Sequence, residues 1–319
     1  MLARSSTARR APDAPDIVVV GAACLDIKGR LHGASVAHTS NPGVVRLSIG
    51  GCARNVAENL ARLGATTALI SAVCQDDFGR TILHHTARAG VNTDYVVVSC
   101  DQHSAAYMAL LDAHGQLLLG VDDIEATSAI TPAIIEAHAA VLTNAQMVMI
   151  DANLPISSAV ALLDVCRAAG VPVGLDPVAY GPALRYRDYI GQFSLVRPNA
   201  VEAQVLTGMP IQTVDQAIHA AKRLVALGVE VAIITLANSG VVYATSDANG
   251  HVPAIAVDVV DPTGASDALT ATVMYALLND IPIDEAVRLG VSAAALTLGS
   301  TETVCRELSL ETLYAQLMI

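Results

Sequence analysis

The segment Asp261-Pro-Thr-Gly-Ala-Ser-Asp267-Ala joins a tight-turn pair, Pro262 and Gly264, to the apolar run ALTATVMYALL. That run has the character of a buried helix, so the amides of Gly264, Ala265 and Ser266 would open it without intrahelical partners. Free amides aligned with a helix dipole bind phosphate oxygens and stabilise charge that develops during transfer. Asp267 falls in the same turn. A carboxylate is a poor phosphate ligand but a suitable base for an attacking alcohol, so the chemistry within reach is phosphoryl transfer to a hydroxyl. The competing account is an ordinary capped helix whose acidic residue complements the dipole.

Four other segments carry residues of matching chemistry. Ile49-Gly-Gly-Cys-Ala-Arg-Asn55 places Gly50 and Gly51 before a helix, where glycines let the backbone approach a ligand, and puts Asn55 on its first turn. By itself this is also a common turn. Asp26 closes Gly21-Ala-Ala-Cys-Leu-Asp26, where its carboxylate could accept hydrogen bonds from vicinal sugar hydroxyls or simply cap a turn. Asn199 and Glu202, in Arg197-Pro-Asn-Ala-Val-Glu202, stand at a strand-to-helix junction and share a face. Such a pair suits Mg²⁺ held largely through water, and equally an N-capping Asn with a first-turn Glu. Thr235-Leu-Ala-Asn-Ser-Gly240 ends a strand and could wall nucleotide phosphates.

The elements that must position these residues alternate. Short β-branched runs recur at Asp16 to Gly21, Thr66 to Val73, Gln146 to Asp151, Val171 to Asp176 and Val229 to Thr235. Helical segments lie between them at Cys52 to Leu63, Ser157 to Ala169 and Val214 to Leu227, each followed by Gly64, Gly170 or Gly228. This α/β alternation predicts a mostly parallel sheet with helices on both faces and ligands beyond the carboxyl ends of the strands. Residues 28–48 and 95–122 break the rhythm, and within the second the stretch from Ala105 to Gly120 reads as a β-hairpin turning at Asp112-Ala-His-Gly115. Both are expected to form a small β lid inserted into one domain, residues 16–319, preceded by a disordered arm at 1–15.

Composition narrows the partners. A formal net charge of −12 argues against a general nucleic-acid surface. No apolar stretch approaches the ~20 residues that span a bilayer, and the Arg-bearing arm has no apolar core of a signal peptide. The 6 cysteines are scattered without a CxxC pair, which suits reduced thiols in a soluble, cytoplasmic protein. GxxxxGK[ST] and GxGxxG are both absent, disfavouring P-loop kinases and Rossmann dehydrogenases.

The order of the pieces, from Asp26 through Gly50-Gly51 and Asn55, Asn199 to Glu202 and Thr235 to Gly240 to the late Gly264-Ala-Ser-Asp267, resembles the ribokinase-like (phosphofructokinase-B type) carbohydrate and nucleoside kinases. The likeness covers roughly residues 16 to 315. Ser40-Asn-Pro-Gly43, Ser71-Ala-Val and Asp77-Phe-Gly79 are similar to the pseudouridine kinases within that family. The resemblance implies a three-layer sandwich with a β lid and ATP-dependent transfer to a primary hydroxyl of a sugar or nucleoside. It implies Asp267 as base, the amides of Gly264, Ala265 and Ser266 as anion hole, and Asp26, Gly50, Gly51, Asn55 and Asn153 around the acceptor. Asn199, Glu202, Thr235 and Gly240 would serve ATP and Mg²⁺, and a K⁺ site near Asp261 and Thr263 is implied as well. An exposed lid face often pairs edges between subunits, so a homodimer through the lid is expected.

Four residues depart from the family pattern: Ser266 and Ala237 stand where Gly is usual, Cys24 where Asn is frequent and Arg197 where Lys is frequent. Ser266 matters most. With right-handed helical φ it costs little, whereas positive φ would strain it and distort the anion hole. Ser266 and Ala237 therefore keep open a catalytically weakened sugar- or nucleoside-binding protein. A vitamin-like alcohol kinase of the pyridoxal type shares the architecture, and the β lid counts against it.

Overall fold

The computed structural model describes residues 14–99 and 103–317. The expected arm lies, up to residue 13, outside the described residues. The first half of the chain forms β1 (Ile17–Val20), β2 (Cys24–Leu31), β3 (Gly43–Gly50), α1 (Cys52–Arg62), β4 (Thr67–Ile70), β5 (Ala72–Cys74) and α2 (Asp77–Arg88). It continues with β6 (Val97–Ser99), β7 (Ala106–Leu111), β8 (Leu117–Asp123), α3 (Pro132–Ala137), α4 (Ala139–Asn144) and β9 (Met147–Asp151). Next come α5 (Ile156–Ala169), β10 (Val173–Asp176), α6 (Tyr180–Tyr186), β11 (Leu195–Val196), α7 (Ala200–Thr207) and α8 (Val214–Ala226). The chain closes with β12 (Val231–Thr235), β13 (Val241–Ala244), β14 (Asn249–Val252), α9 (Ala265–Leu278), α10 (Ile283–Leu298) and α11 (Leu310–Leu317).

The main sheet has 8 strands in the order β14-β13-β12-β11-β10-β9-β1-β4. From β4 to β12 the pairings are parallel, and β13 and β14 add an antiparallel edge. Helices cover both faces, which is why the strands read as unbroken apolar runs. Val18, Val20, Val148 and Ile150 point into a core with α3 to α8, while Ile17, Val19, Met147 and Met149 point into a second core with α1, α9, α10 and α11. Strand order reverses direction between β1 and β9, so a crevice opens at the carboxyl ends of these two strands.

The strand expected over Thr66 to Val73 is broken. After Ile70 the chain turns at Ser71, whose hydroxyl donates to the Gly21 carbonyl at 2.6 Å, and β5 leaves to pair with β6. Periodicity could not show the break, because Ala72, Val73 and Cys74 are as buried as the strand before them.

A second sheet has 4 strands in the order β3-β2-β7-β8. Its register places Val45, Leu47, Met108, Leu110, Leu119 and Val121 on one face and Asp26, Lys28, Arg46, Ser48, Tyr107 and Asp122 on the other. The apolar face is exposed, with Val45 at 70% and Leu47 at 64%. The polar face carries the residues that reach the crevice, as the Lys28 contact described below shows.

Candidate active site

Gly264 is the N-cap of α9 with φ 85, and a Cβ there would collide with the Thr303 carbonyl oxygen, so only glycine fits the turn. Thr303 in turn donates its hydroxyl to the Ile49 carbonyl at 2.6 Å, tying the turn to the end of β3. Ala265, Ser266 and Asp267 then form the first turn of the helix. Ser266 is not among the residues with positive φ, so it has the right-handed conformation in which serine is unstrained.

Asp267 is 4% exposed. Asn55 donates its Nδ2 to Asp267 Oδ2 at 2.9 Å, and Arg54 donates to Asn55 Oδ1 at 3.0 Å, which fixes the direction of the amide. Burial raises the Asp267 carboxyl above its ordinary value, against the opposing pull of Arg197, Asn55, Ser266 and Arg54. A raised carboxylate is a stronger base at neutral pH. Behind it Arg197 pairs with Asp176 and donates its Nε to Thr270 at 2.8 Å. A fork with two directions of donation makes use of arginine where a lysine would supply only a point charge.

On β2, Asp26 is 3% exposed and its carboxylate lies against Gly50, where a Cβ would collide with it. Burial pushes its pKa from 3.8 up to about 6, with Lys28 and the Cys24 thiol holding the rise back. Gly51, with φ 95, is the N-cap of α1 and leads to Asn55. Asp151, at the end of β9, accepts the amides of Ala22 at 2.8 Å, Ala53 at 3.0 Å and Asn153 at 3.0 Å. Burial pushes Asp151 to about 6 even so. The Asn153 backbone is thereby tied to Asp151, while its carbonyl accepts the Thr127 hydroxyl at 3.3 Å. The structure thus brings Asp26, Gly50, Gly51, Asn55 and Asp267 together, whereas Asn153 stands with Asp151.

A cavity of about 970 Å³ opens on the other side of the α9 turn. Asn199, Thr235, Gly240, Ala265 and Ser266 line it together with the apolar Ile255, Val257, Val291, Ala295 and Leu298. Asn199 and Thr235 form a β-bridge, so the two loops share one wall. Ala237, also in this wall, takes φ 49, a left-handed conformation in which glycine is unstrained and alanine is not. Glu202 is 2% exposed and outside the cavity lining. It forms a capping box: Asn199 Oδ1 accepts the Glu202 amide at 3.0 Å, and Glu202 accepts the Asn199 amide at 2.9 Å. Burial raises the Glu202 carboxyl, with Arg197 and Asn199 opposing. Asp261 and Thr263 adjoin the turn, with the Thr263 amide donating to Asp261 Oδ1 at 2.9 Å.

Several residues of the site carry no short motif. Asp151 and Asp176 end neighbouring parallel strands at Cα partners, and an acid closing an apolar run was the available signal for both. Arg54 and Glu58 have helical spacing, but their burial at 4% and 5% depends on α2 packing beside α1, as the Arg54 bond to Thr86 shows. Lys28, on the second sheet, meets Asp261 at 2.7 Å over a separation of 233 residues.

The chain is similar to the pseudouridine kinase of Escherichia coli (strain K12), with 30% identity over 295 residues that cover 92% of this chain and 94% of the relative. It is similar also to the guanosine-inosine kinase of Exiguobacterium acetylicum, with 31% identity over 90% of this chain and 95% of the relative. Arabidopsis thaliana ribokinase, solved with ribose and ATP, superposes with a TM-score of 0.84 at 24% identity over 96% of this chain and 99% of that one, which establishes the ribokinase fold. The model of the pfkB family of carbohydrate kinases matches residues 14–307. The buried Asp267, the glycine turn before it and these likenesses agree: the chain belongs to the pfkB family of carbohydrate kinases and is a phosphotransferase acting on the hydroxyl of a sugar or nucleoside.

Proposed function

We propose that the enzyme transfers the γ-phosphoryl group of ATP to the primary hydroxyl of a nucleoside, and that its acceptor is pseudouridine, giving pseudouridine 5′-phosphate. The observation that carries the reaction is the Asn55–Asp267 hydrogen bond at the mouth of the α9 anion hole. Asp267 takes the proton of the attacking hydroxyl, while the amides of Gly264, Ala265 and Ser266 receive the charge of the transferring group. Asp26 accepts hydrogen bonds from the ribose hydroxyls beside Gly50 and Gly51. ATP lies in the 970 Å³ cavity, its base against Val291, Ala295 and Leu298 and its phosphates toward Asn199, Thr235 and Ser266.

Mg²⁺ would fit this arrangement as an ion held largely through water beside the phosphates. Asn199 and Glu202 would stand behind those waters, and the ion when bound neutralises phosphate charge. The second sheet serves as the lid, its polar face closing on the acceptor and keeping water from ATP. Its exposed apolar face supports a homodimer through the lid. Cys24, Cys52, Cys166 and Cys305 are free thiols, which suits a cytoplasmic protein.

The nucleoside acceptor draws support from two relatives that are nucleoside kinases by name, one for pseudouridine and one for guanosine and inosine. The helical backbone of Ser266 favours an active kinase over a weakened binding protein. The test is a screen with Mg-ATP against pseudouridine, uridine, guanosine, inosine, adenosine, ribose, fructose and 2-keto-3-deoxygluconate. Preferred transfer to pseudouridine is expected. Turnover only of a free sugar would overturn the nucleoside assignment, and preferred turnover of guanosine or inosine would overturn pseudouridine.

A further inference from the structure

The family resemblance implies K⁺ beside Asp261 and Thr263, and the donor set there does not fit one. Asp261 Oδ1 accepts the Thr263 amide at 2.9 Å, and Asp261 Oδ2 accepts Lys28 Nζ at 2.7 Å. Both carboxylate oxygens are engaged, and the positive charge is already in place. An ammonium group carries the same charge as K⁺ and is of closely similar size. The Lys28 and Asp261 side chains are 11% and 17% exposed, so the pair is screened far less than an ion pair in open solvent.

We propose that Lys28 is a built-in monovalent cation: its ammonium neutralises Asp261 beside the anion-hole turn, so that phosphoryl transfer by this enzyme needs no K⁺ or other free monovalent ion.

Three features of the placement support this. Lys28 is on β2, which is hydrogen-bonded on both sides by β3 and β7, so the base of its side chain is held by a central strand. Asp261 lies three residues before Gly264, the N-cap of the anion-hole helix, so neutralising it removes a negative charge from next to the incoming phosphate. Lys28 also shares the polar face of its strand with Asp26. The same ammonium therefore ties the acceptor-binding sheet to the turn that receives the phosphoryl group, which a diffusing ion would not do.

The inference rests on the phosphotransferase activity of the family and not on the choice of acceptor. The experiment compares wild type, Lys28→Met and Lys28→Arg in KCl and in choline chloride at matched ionic strength. Thermal melting needs no acceptor, and turnover of pseudouridine with Mg-ATP is read as ADP by chromatography without coupling enzymes. Wild type is expected to melt and turn over equally in both salts, within twofold. Lys28→Met should lose roughly tenfold or more in choline and recover severalfold in KCl, with its melting temperature raised by KCl, while Lys28→Arg stays insensitive to the salt. Activation of wild type fivefold or more by KCl, or a KCl-dependent rise in its melting temperature, overturns the proposal. So does a loss in Lys28→Met that KCl restores neither in rate nor in melting. Absence of turnover by every variant would instead count against pseudouridine, and the melting comparison then decides the role of Lys28.

Discussion

Asn55 donates to the Asp267 carboxylate at 2.9 Å from a helix 212 residues earlier in the chain. Its own carbonyl oxygen is held by Arg54, so the amide can offer Asp267 only its NH₂ group. That bond aims one oxygen of a buried carboxylate and favours its ionised form.

Asp267→Asn keeps the shape of the site and removes the proposed base. It is expected to lower kcat by ~10²-fold or more with nucleotide and acceptor binding retained. Steady-state kinetics together with isothermal titration check this, and undiminished turnover would remove Asp267 from the mechanism.

Asn55→Ala takes away a bond made to the charged carboxylate. The Asp267 pKa should rise further, so the acidic limb of the kcat/KM profile should move to higher pH, with kcat lowered ~10-fold or more. A pH–rate profile that merely drops without moving would assign Asn55 a packing role alone.

Asp26 shows the pH dependence of a buried carboxyl. Its folded value of about 6 lies above the ordinary 3.8, so its contribution to stability is complete below about pH 4 and lost as pH rises through about 6. The gap corresponds to ~3 kcal/mol. Asp26→Asn never ionises, so it should melt several degrees above wild type at pH 8 and equally at pH 4, while KM for the acceptor rises. Melting curves at the two pH values test the sign; a variant less stable than wild type at pH 8 contradicts it.

Two glycine substitutions should part ways. Ala237→Gly relieves a left-handed alanine worth ~1 kcal/mol, partly offset by the freer unfolded chain, so melting should hold steady or rise slightly. Ser266→Gly adds a flexible residue to a helix start and should give no gain in kcat. A severalfold gain in kcat from Ser266→Gly would show that the serine obstructs the anion hole.

Leu47 stands in the middle of the apolar face of the second sheet and is 64% exposed. Leu47→Asp places a charge where a lid-to-lid interface would be dry, so a homodimer should dissociate. Sedimentation of wild type and variant decides it, and a wild type that sediments as a monomer rules the interface out.

Local chemistry made the alternation of strands and helices legible, because both faces of the main sheet are covered and its strands are therefore uniformly apolar. It also marked the α9 turn, since Pro262, Gly264 and Asp267 act over a single turn of chain. At Asn199 and Glu202 the residues fit both a capping box and a metal-supporting pair, and only the structure shows that the capping box forms. The conformation of Ser266 was likewise open, since φ depends on whether the helix begins at Ala265 or later. Tertiary packing alone decided which distant groups meet. Asn55 reaches Asp267, Lys28 reaches Asp261, and Arg197 reaches Asp176 because parallel strands end together and a second sheet folds over them. The raised carboxyls of Asp26, Asp151 and Asp267 follow from the same cause: burial is a property of the assembled layers, and no spacing along the chain encodes it.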